Sequence, residues 1–224
     1  PDETLLAIAQ ENNLSETAFF VPTPNAPEPW HLRWFTPAKE IDLCGHATLA
    51  TAAVIFRHLQ PDRESVAFAS MSGRLEVHRS GDWLELDFPA RPAAGEVPVR
   101  DAIVAALGAR PDRILDGGRE LYAIFAEAGT VRSLQPDIAA IAAIEPGSMV
   151  VTAPGDDADT AYVCRMFAPA FGVPEDPVTG SIQCTLAPYW ADRLGTTTLP
   201  ARQVSAREGA LRVRLDGDRV RIGG

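Results

Sequence analysis

The chain repeats itself once, and this internal repeat restricts the possible folds more than any other feature of the sequence. Residues 33–38 read RWFTPA, and residues 165–170 read RMFAPA. Two further pairs of glycine-led segments follow at similar spacing: Gly45 with Gly180, and Gly73 with Gly209. The paired positions are 132, 135 and 136 residues apart. A nearly constant offset indicates a duplicated domain, and two copies are too few for a solenoid.

The length and composition fit a globular protein with two such units. At 224 residues the chain has room for two domains of about 110 residues each. Hydrophobic residues make up 46% of the sequence and charged residues 22%, as in an ordinary soluble protein. The formal net charge of -10 argues against nucleic acid and anionic membrane surfaces as partners.

Cysteine usage and short motifs narrow the class further. Cys44, Cys164 and Cys184 have no regular spacing, which argues against a disulfide framework and favours a reducing compartment. The sequence contains neither a CxxC pair nor an HExxH run, so we expect no metal site. The longest apolar run, residues 47–56, is too short to cross a bilayer, and no signal peptide is recognisable. We therefore expect a cytoplasmic protein.

Each half is predicted to contain a helix that is apolar on most faces. Residues 47–59 have no polar face until their last turn, which predicts a helix buried all round. Residues 181–194 are the counterpart, ended by Gly195 and interrupted by Pro188, which predicts a kink or a short first turn.

Strands are predicted before and after these helices. An amino-terminal helix is expected to end at Asn12-Asn13, and residues 18–21 and 31–35 are typical of strands. Residues 80–82 and 216–218 are typical of hairpin turns. The prolines expected to separate the first two strands are Pro22, Pro24, Pro27 and Pro29.

The proline- and glycine-rich residues 89–98 are predicted to link the two halves. The boundaries that follow are residues 1–92 for the first domain and 93–224 for the second. Residues 99–134 have no partner in the first half. This asymmetry favours a first domain that lacks about 35 residues at its start, and we also expect the second domain to lack its last strand.

The two glycine-led turns are candidate ligand contacts. Glycine at a strand-to-helix turn lets the backbone approach a ligand, and the free N–H groups of a helix start favour an anion. His46 and Asp176 lie beside Gly45 and Gly180, so they would form a proton-transfer pair if they faced one cavity. Alternatively, the glycines form tight turns, His46 is a hydrogen-bonded structural histidine and Asp176 caps the next helix.

Glu16 is the third candidate for chemistry. It lies where a polar turn becomes an apolar strand, and a carboxylate against apolar neighbours has a raised pKa and can act as a base or acid near neutral pH. The alternative is a solvated carboxylate at the end of a strand.

Three motifs together resemble the PhzF-like family of phenazine-biosynthesis-type isomerases. They are NNLSETAF at 12–19, FTP at 35–37 with DLCGHATLA at 42–50, and EDPVTGS at 175–181. The resemblance implies the diaminopimelate-epimerase fold, an α+β architecture. In this fold two pseudo-symmetric domains each curl a mostly antiparallel, barrel-like sheet around a central buried helix, with the site in the cleft between. It also implies a homodimer.

The resemblance further implies a proton-transferring isomerase that uses neither cofactor nor metal. Glu16 would move the proton, helped by His46 and Asp176. The backbone at Gly45, Gly180 and Ser181 would hold the carboxylate of a small-molecule substrate. The chain differs from many relatives after Ser181, where it has Ile182-Gln183-Cys184 in place of Ala-His-Cys, so one possible polar site group is changed.

Cys44 and Thr179 decide against a related mechanism. Two-thiol epimerases and racemases that resemble this fold place a cysteine before the helix-start glycine in each half. Here Cys44 precedes Gly45, but Thr179 precedes Gly180, and a hydroxyl is far too weak an acid to replace a thiol. Two functional alternatives stay open: an epimerase that uses Cys44 with a non-cysteine partner, and a non-catalytic binding protein. Cys44 and Thr179 are candidates to line the cleft and contact the substrate, and the alternative for Cys44, which we favour, is a buried, inert cysteine.

Overall fold

The computed structural model describes residues 1–23 and 29–224. These residues contain six α-helices and fifteen β-strands. The helices are α1 (Asp2–Asn12), α2 (Gly45–Val54), α3 (Asp101–Leu107), α4 (Ala128–Ser133), α5 (Ile138–Ala142) and α6 (Gln183–Leu194). The strands are β1 (Thr17–Val21), β2 (Trp30–Phe35), β3 (Glu40–Ile41), β4 (Ser65–Ser70), β5 (Gly73–Ser80), β6 (Trp83–Pro89), β7 (Gly95–Val97), β8 (Arg113–Asp116), β9 (Leu121–Ile124), β10 (Met149–Pro154), β11 (Tyr162–Ala168), β12 (Val173–Asp176), β13 (Thr198–Gln203), β14 (Gly209–Asp216) and β15 (Arg219–Gly223). No helix in these ranges is long and apolar enough to cross a membrane. Pro24 and Pro27, two of the prolines predicted to separate the first strands, lie outside the described residues.

The two halves pair their strands in the same pattern. In the first half β2 is antiparallel to β1 and β3 and parallel to β4, and β4, β5 and β6 continue as antiparallel neighbours. In the second half β11 pairs with β10, β12 and β13 in the same senses, and β13, β14 and β15 continue likewise. Both predicted hairpins form, with Gly81 and Gly217 in the left-handed conformation that their two-residue turns require.

The central helices take equivalent places in the two halves. Helix α2 contacts β1, β5 and β6, whereas α6 contacts β13, β14 and β15. Gly195 ends α6 in the left-handed conformation, as predicted. The central helix of the first half, α2, is shorter than predicted, because it ends at Val54 and a π-helical turn covers Ile55–Leu59. The prediction that it is buried all round is wrong, because Ala50 and Val54 are exposed.

Pro188 lies inside α6, where a backbone group from the linker compensates for its missing N–H. Proline cannot donate to the carbonyl four residues earlier, so the Cys184 carbonyl has no partner from Pro188. The Arg91 backbone N–H donates to that carbonyl at 2.8 Å. The Thr185 hydroxyl donates in turn to the Arg91 carbonyl at 2.8 Å. The predicted linker is therefore tied to the helix of the second half, and it also contains the short strand β7.

One continuous sheet joins the two halves. Strand β6 of the first half pairs antiparallel with β15 of the second, and Asp87 forms ion pairs with Arg219 and Arg221 at 2.8 and 2.9 Å. In the second half α4 and α5 pack on β10 and β11 over a separate apolar core. The predicted α+β class with two similar curled units is confirmed, and the boundary near residue 92 stays a prediction.

The repeated Arg-x-Phe sequence corresponds to a repeated ion pair. Arg33 donates to both Glu40 carboxylate oxygens at 2.7 Å and lies over the Phe35 ring. Its counterpart Arg165 donates to Glu175 at 2.7 and 3.0 Å and lies over the Phe167 ring. Each pair fixes the short strand that leads to a helix-start glycine. The repeated Arg-x-Phe sequence therefore has a structural role in both halves.

Replacing Glu175 by Gln should destabilise the protein much more than the equivalent Glu40→Gln. The Arg165 side chain is 9% exposed, and in Glu175→Gln its charge would lose the carboxylate and keep only neutral acceptors, the Gln amide oxygen and the Val131 and Leu134 carbonyls. We expect a loss of about 2–3 kcal/mol, less than the loss of about 3–5 kcal/mol on removing one partner of a buried pair, because Gln keeps one acceptor oxygen. Arg33 is more exposed and also pairs with Asp2, so Glu40→Gln should cost about 0–1 kcal/mol. Urea unfolding of both variants measures the difference, and equal losses would contradict this account.

Candidate active site

The starts of the two central helices touch through their glycines. A β-carbon added to Gly45 would lie 3.2 Å from Gly180 Cα, and one added to Gly180 would lie 3.3 Å from Gly45 Cα. The two glycines therefore permit a close backbone approach, which is a packing role in addition to the predicted ligand contact. Helix α6 begins at Gln183, so Gly180 and Ser181 lie in the turn before it and not in its first turn.

Glu16, His46 and Cys44 form a contiguous group on the first half. Glu16 immediately precedes β1, and His46 lies in the first turn of α2. His46 Nε2 lies 3.1 Å from Glu16 Oε2, and Cys44 Sγ lies 3.8 Å from each ring nitrogen of His46. The Glu16 side chain is 11% exposed and that of His46 35%, so the ion pair is shielded from water but reachable through His46.

This ion pair sets the protonation of both groups. Burial alone would raise the pKa of Glu16, but the contacts with His46 outweigh burial and lower the pKa below its ordinary value. Burial likewise opposes protonation of His46, but its contacts with Cys44 and Glu16 raise the pKa of His46. The predicted raised pKa of Glu16 is therefore wrong, because that prediction considered the apolar neighbours and not the imidazolium.

Asp176, at the end of β12, carries the raised pKa instead. Burial raises the pKa of Asp176 from 3.8 to about 6, against the opposing effect of a hydrogen bond from Thr179. The Thr179 hydroxyl donates to Asp176 Oδ2 at 2.6 Å, whereas Oδ1 is buried and accepts no hydrogen bond from the described residues. Glu16 Oε2 also accepts none of good geometry, although it pairs with His46. Each carboxyl group thus offers a buried oxygen to a ligand.

Two fully buried glutamines hold the turn around Asp176. The Gln203 side chain accepts from the Thr179 N–H at 2.7 Å and donates to the Asp176 carbonyl at 2.6 Å. Gln183 donates to the Thr179 carbonyl at 3.1 Å and accepts from the Tyr162 hydroxyl. Gln183 is therefore part of the scaffold and not a changed site group. The sequence analysis did not identify Gln203. The observation that could have identified it is a polar residue at a position of β13 whose neighbours in the alternation are buried.

One cavity of about 80 Å³ brings the two carboxyl groups together. Glu16 and Asp176 line it from different halves, and Thr179 and Ser181 line it beside Asp176.

The other predicted site residues do not line this cavity. Gly45, Gly180 and His46 line a second, mostly apolar cavity, and His46 and Asp176 together line a third. Cys44 is buried against His46, and burial raises the pKa of its thiol. A thiol with a raised pKa is a poor base at neutral pH, which argues against an epimerase that depends on Cys44.

Comparison with known proteins identifies the family. The family model described as phenazine biosynthesis-like protein (PhzC-PhzF) matches residues 1–224. The chain belongs to the PhzC-PhzF family. A Pseudomonas aeruginosa relative, named an uncharacterized isomerase, is 47% identical over 223 residues, which is 100% of this chain and 83% of that protein.

Solved structures agree with this membership. A PhzF-family crystal structure from Enterococcus faecalis has a TM-score of 0.93 and 43% identity, and covers 100% of this chain and 84% of that one. A predicted epimerase from Pseudomonas aeruginosa has a TM-score of 0.72 at 22% identity, and covers 100% of this chain and 85% of that one. The second likeness shows the fold alone.

Two further polar residues of this PhzC-PhzF protein line the cavity and were missed from the sequence. Arg119 and Glu120 come from the turn between β8 and β9, inside the segment that has no counterpart in the first half. Burial raises the pKa of Glu120, and the Tyr122 hydroxyl lies 3.4 Å from its carboxylate. The adjacent glycines, Gly117-Gly118, were the available signal for a tight turn.

His46 and its neighbours could also bind a metal ion, although the sequence contains neither a CxxC pair nor an HExxH run. One ligand atom from each of Glu16, Cys44 and His46 lies within 4.8 Å of the others. Spacing along the sequence does not reveal this group, because Glu16 joins it through the fold. Metal binding would have to remove protons from the Cys44 thiol and from the imidazolium, so it would compete with the Glu16–His46 ion pair.

Asp176→Asn should stabilise the folded protein at pH 7.5. A folded-state pKa raised from 3.8 to about 6 means that ionised Asp176 costs at most about 3 kcal/mol. Between about pH 4 and 6 the folded parent binds more protons than the unfolded chain, so its stability falls as pH rises, and the variant lacks this fall. Urea unfolding should show a gain of about 1–3 kcal/mol at pH 7.5 and little at pH 4.

The exposed Asp192→Asn on α6 is the matched control, because it removes a carboxylate without changing a buried one. A gain for Asp192→Asn equal to that for Asp176→Asn, or no gain at Asp176, would contradict the raised pKa.

Proposed function

We propose that this protein is a cofactor-independent isomerase that moves a proton on a small carboxylate-bearing substrate. The observation that carries the proposal is the pair of carboxyl groups in one cavity whose pKa values are displaced in opposite directions, Glu16 downward and Asp176 upward to about 6. A pair displaced in this way can act as base and acid at one pH.

In the proposed step, Glu16 removes a proton from a carbon acidified by conjugation with a carboxylate or carbonyl. The C–H electron pair delocalises into that conjugated group. Asp176 then donates its proton to a different carbon, which shifts the double bond and leaves the overall composition of the substrate unchanged. Protonated Glu16 and ionised Asp176 exchange a proton through solvent to restore the starting state. Solvent protons therefore enter the product.

The Ser181 hydroxyl lines the cavity and would stabilise the negative charge that develops. His46 keeps Glu16 ionised before the reaction and remains close as Glu16 takes up the proton.

The family membership supports an isomerase at this coarse level, and relatives are named as isomerases. Cys44 takes no proton in the proposed step, because burial keeps its thiol protonated. The homodimer implied by the resemblance stays a prediction.

Glu16→Gln should abolish most proton transfer while preserving side-chain shape. We expect the rate of deuterium incorporation from D2O into cyclic β,γ-unsaturated carboxylic acids to fall by about 10²–10⁴-fold, the usual contribution of a positioned base. Proton NMR of the acids measures the exchange. The exposed Glu11→Gln on α1 should retain the parent rate. An undiminished rate in Glu16→Gln would exclude this base.

The reaction should slow as pH rises through about 6. Asp176 must be protonated to act as the acid, and its pKa lies near 6. A profile of kcat/KM from pH 4.5 to 8 should therefore show a falling limb, and Asp176→Asn should remove that limb together with most of the activity. A limb that persists in Asp176→Asn would assign the acid to another group.

A further inference from the structure

We propose that Glu16, Cys44 and His46 form a binding site for a Zn²⁺-like divalent cation, and that the bound ion inhibits the isomerase by holding the Glu16 carboxylate. The site itself follows from the geometry of the three side chains. Its inhibitory effect rests on the proposed function, in which Glu16 is the base.

The separations between the three ligand atoms are close to those around a tetrahedral metal ion. Glu16 Oε2 and His46 Nε2 are 3.1 Å apart, Cys44 Sγ and His46 Nε2 are 3.8 Å apart, and all three atoms lie within 4.8 Å of one another. Metal–ligand bonds of about 2.0–2.3 Å at tetrahedral angles place the ligand atoms about 3.3–3.6 Å from one another. Small adjustments of these side chains would therefore let one ion contact all three.

The donor set selects the class of ion. A thiolate, an imidazole and a carboxylate are the ligands that Zn²⁺ takes in proteins, whereas Mg²⁺ and Ca²⁺ need several oxygen ligands and would find one carboxylate here. With Cys44 and Glu16 negative and His46 neutral, a divalent cation gives a group with no net charge. This balance matters because Cys44 is buried, where a net charge would be costly.

The backbone around Cys44 suits a metal-bound thiolate. Cys44 immediately precedes α2, and the Ala47 N–H in the first turn bonds to its sulfur and favours the thiolate. The Thr48 hydroxyl and N–H both donate to the Cys44 carbonyl, at 2.6 and 3.2 Å. The sulfur is therefore held at a helix start, where N–H groups stabilise negative charge.

An ion has an entry path to this group. A further cavity of about 310 Å³ is lined by both Glu16 and His46, together with Asn12, Leu14 and Ala50. The His46 side chain is 35% exposed. Three protein ligands leave a tetrahedral ion one further position, which water or a small anion can take.

The second half has hydroxyl groups in place of these ligands. The counterparts of Glu16, Cys44 and His46 across the repeat are Ser148, Thr179 and Ser181. Hydroxyl groups are not among the usual ligands of Zn²⁺. Within the described part of the chain, the first-half group is the one set of side chains close enough to hold such an ion. We therefore expect one ion per chain.

Cobalt binding to the metal-free full chain tests the site without requiring catalysis. Co²⁺ takes the same ligands as Zn²⁺, and a bound thiolate gives a sulfur-to-cobalt charge-transfer band in the near ultraviolet. This band should saturate at one Co²⁺ per chain and disappear when Zn²⁺, but not Mg²⁺, is added. Cys44→Ser should abolish the band. Glu16→Gln and His46→Gln should each weaken Zn²⁺ binding about 10–100-fold or more, since residues that only orient ligands already contribute this much.

Matched control variants remove the same chemical groups elsewhere in the chain. Cys184→Ala removes another buried thiol, Glu11→Gln an exposed carboxylate and His58→Gln an exposed imidazole. All three should bind Co²⁺ and Zn²⁺ as the parent does, and urea unfolding verifies that each variant is folded. If Cys44→Ser does not fold, the band in the parent still reports the thiolate ligand. Absence of that band in the parent, or equal weakening in the controls, would overturn the site.

Zn²⁺ should also slow deuterium exchange from D2O into the unsaturated acids. Saturating Zn²⁺ should lower the rate of the parent about tenfold or more, because the base is no longer free. At the same Zn²⁺ concentration Cys44→Ser should keep its own metal-free rate, and Mg²⁺ should leave the parent unchanged.

The two assays separate the metal site from the isomerase. Exchange by the parent without a thiolate band would refute the metal site alone. The predicted band without exchange of any acid in the metal-free parent would refute the isomerase alone. Zn²⁺ that binds as predicted but leaves exchange unchanged would refute the inhibition.

Discussion

The contact between the backbones of Gly45 and Gly180 is the constraint on which the site depends. Any side chain at either position would have to push the two helix starts apart. Because these starts meet, His46 from one half and Thr179 from the other come to the same region. Glu16, just before β1 of one half, and Asp176, at the end of β12 of the other, line one cavity. The cleft thus forms because the two helix starts are in contact. The role of the two glycines is to allow this close backbone approach.

The two copies retain their scaffold and differ at the site. The bidentate pairs Arg33–Glu40 and Arg165–Glu175 hold equivalent strands in both halves. The cavity positions that correspond across the repeat carry different chemistry: Glu16 with Ser148, Ile41 with Asp176, Cys44 with Thr179, and His46 with Ser181. A symmetric site would place like groups on both faces of a ligand. Here one carboxyl group has a lowered pKa and the other a pKa raised to about 6, so below that pH the first is ionised while the second is still largely protonated.

The repeat, the two hairpin turns and the end of α6 were predictable from the sequence, because each depends on residues that are neighbours along the chain. Gly81, Gly217 and Gly195 each occupy a left-handed position that follows from the neighbouring residues. The fold-wide contacts were not predictable in this way. The β6–β15 pairing joins strands more than a hundred residues apart, and Arg119 reaches the cavity only through the position of its hairpin. The site motifs identified Glu16 and Asp176, but not which of them holds a proton.

The proton assignment depends on one difference between the halves. Glu16 has an imidazolium neighbour because position 46 is histidine, whereas the equivalent position near Asp176 is Ser181, which carries no charge. With a neutral hydroxyl from Thr179 as its closest partner, Asp176 is stabilised too weakly to offset burial. A second imidazolium in place of Ser181 would favour ionisation of both carboxyl groups, so that neither would hold a proton to donate. The difference at this position, together with the other unlike pairs, therefore makes the two carboxyl groups of the cavity unequal, which is what the proposed proton transfer requires.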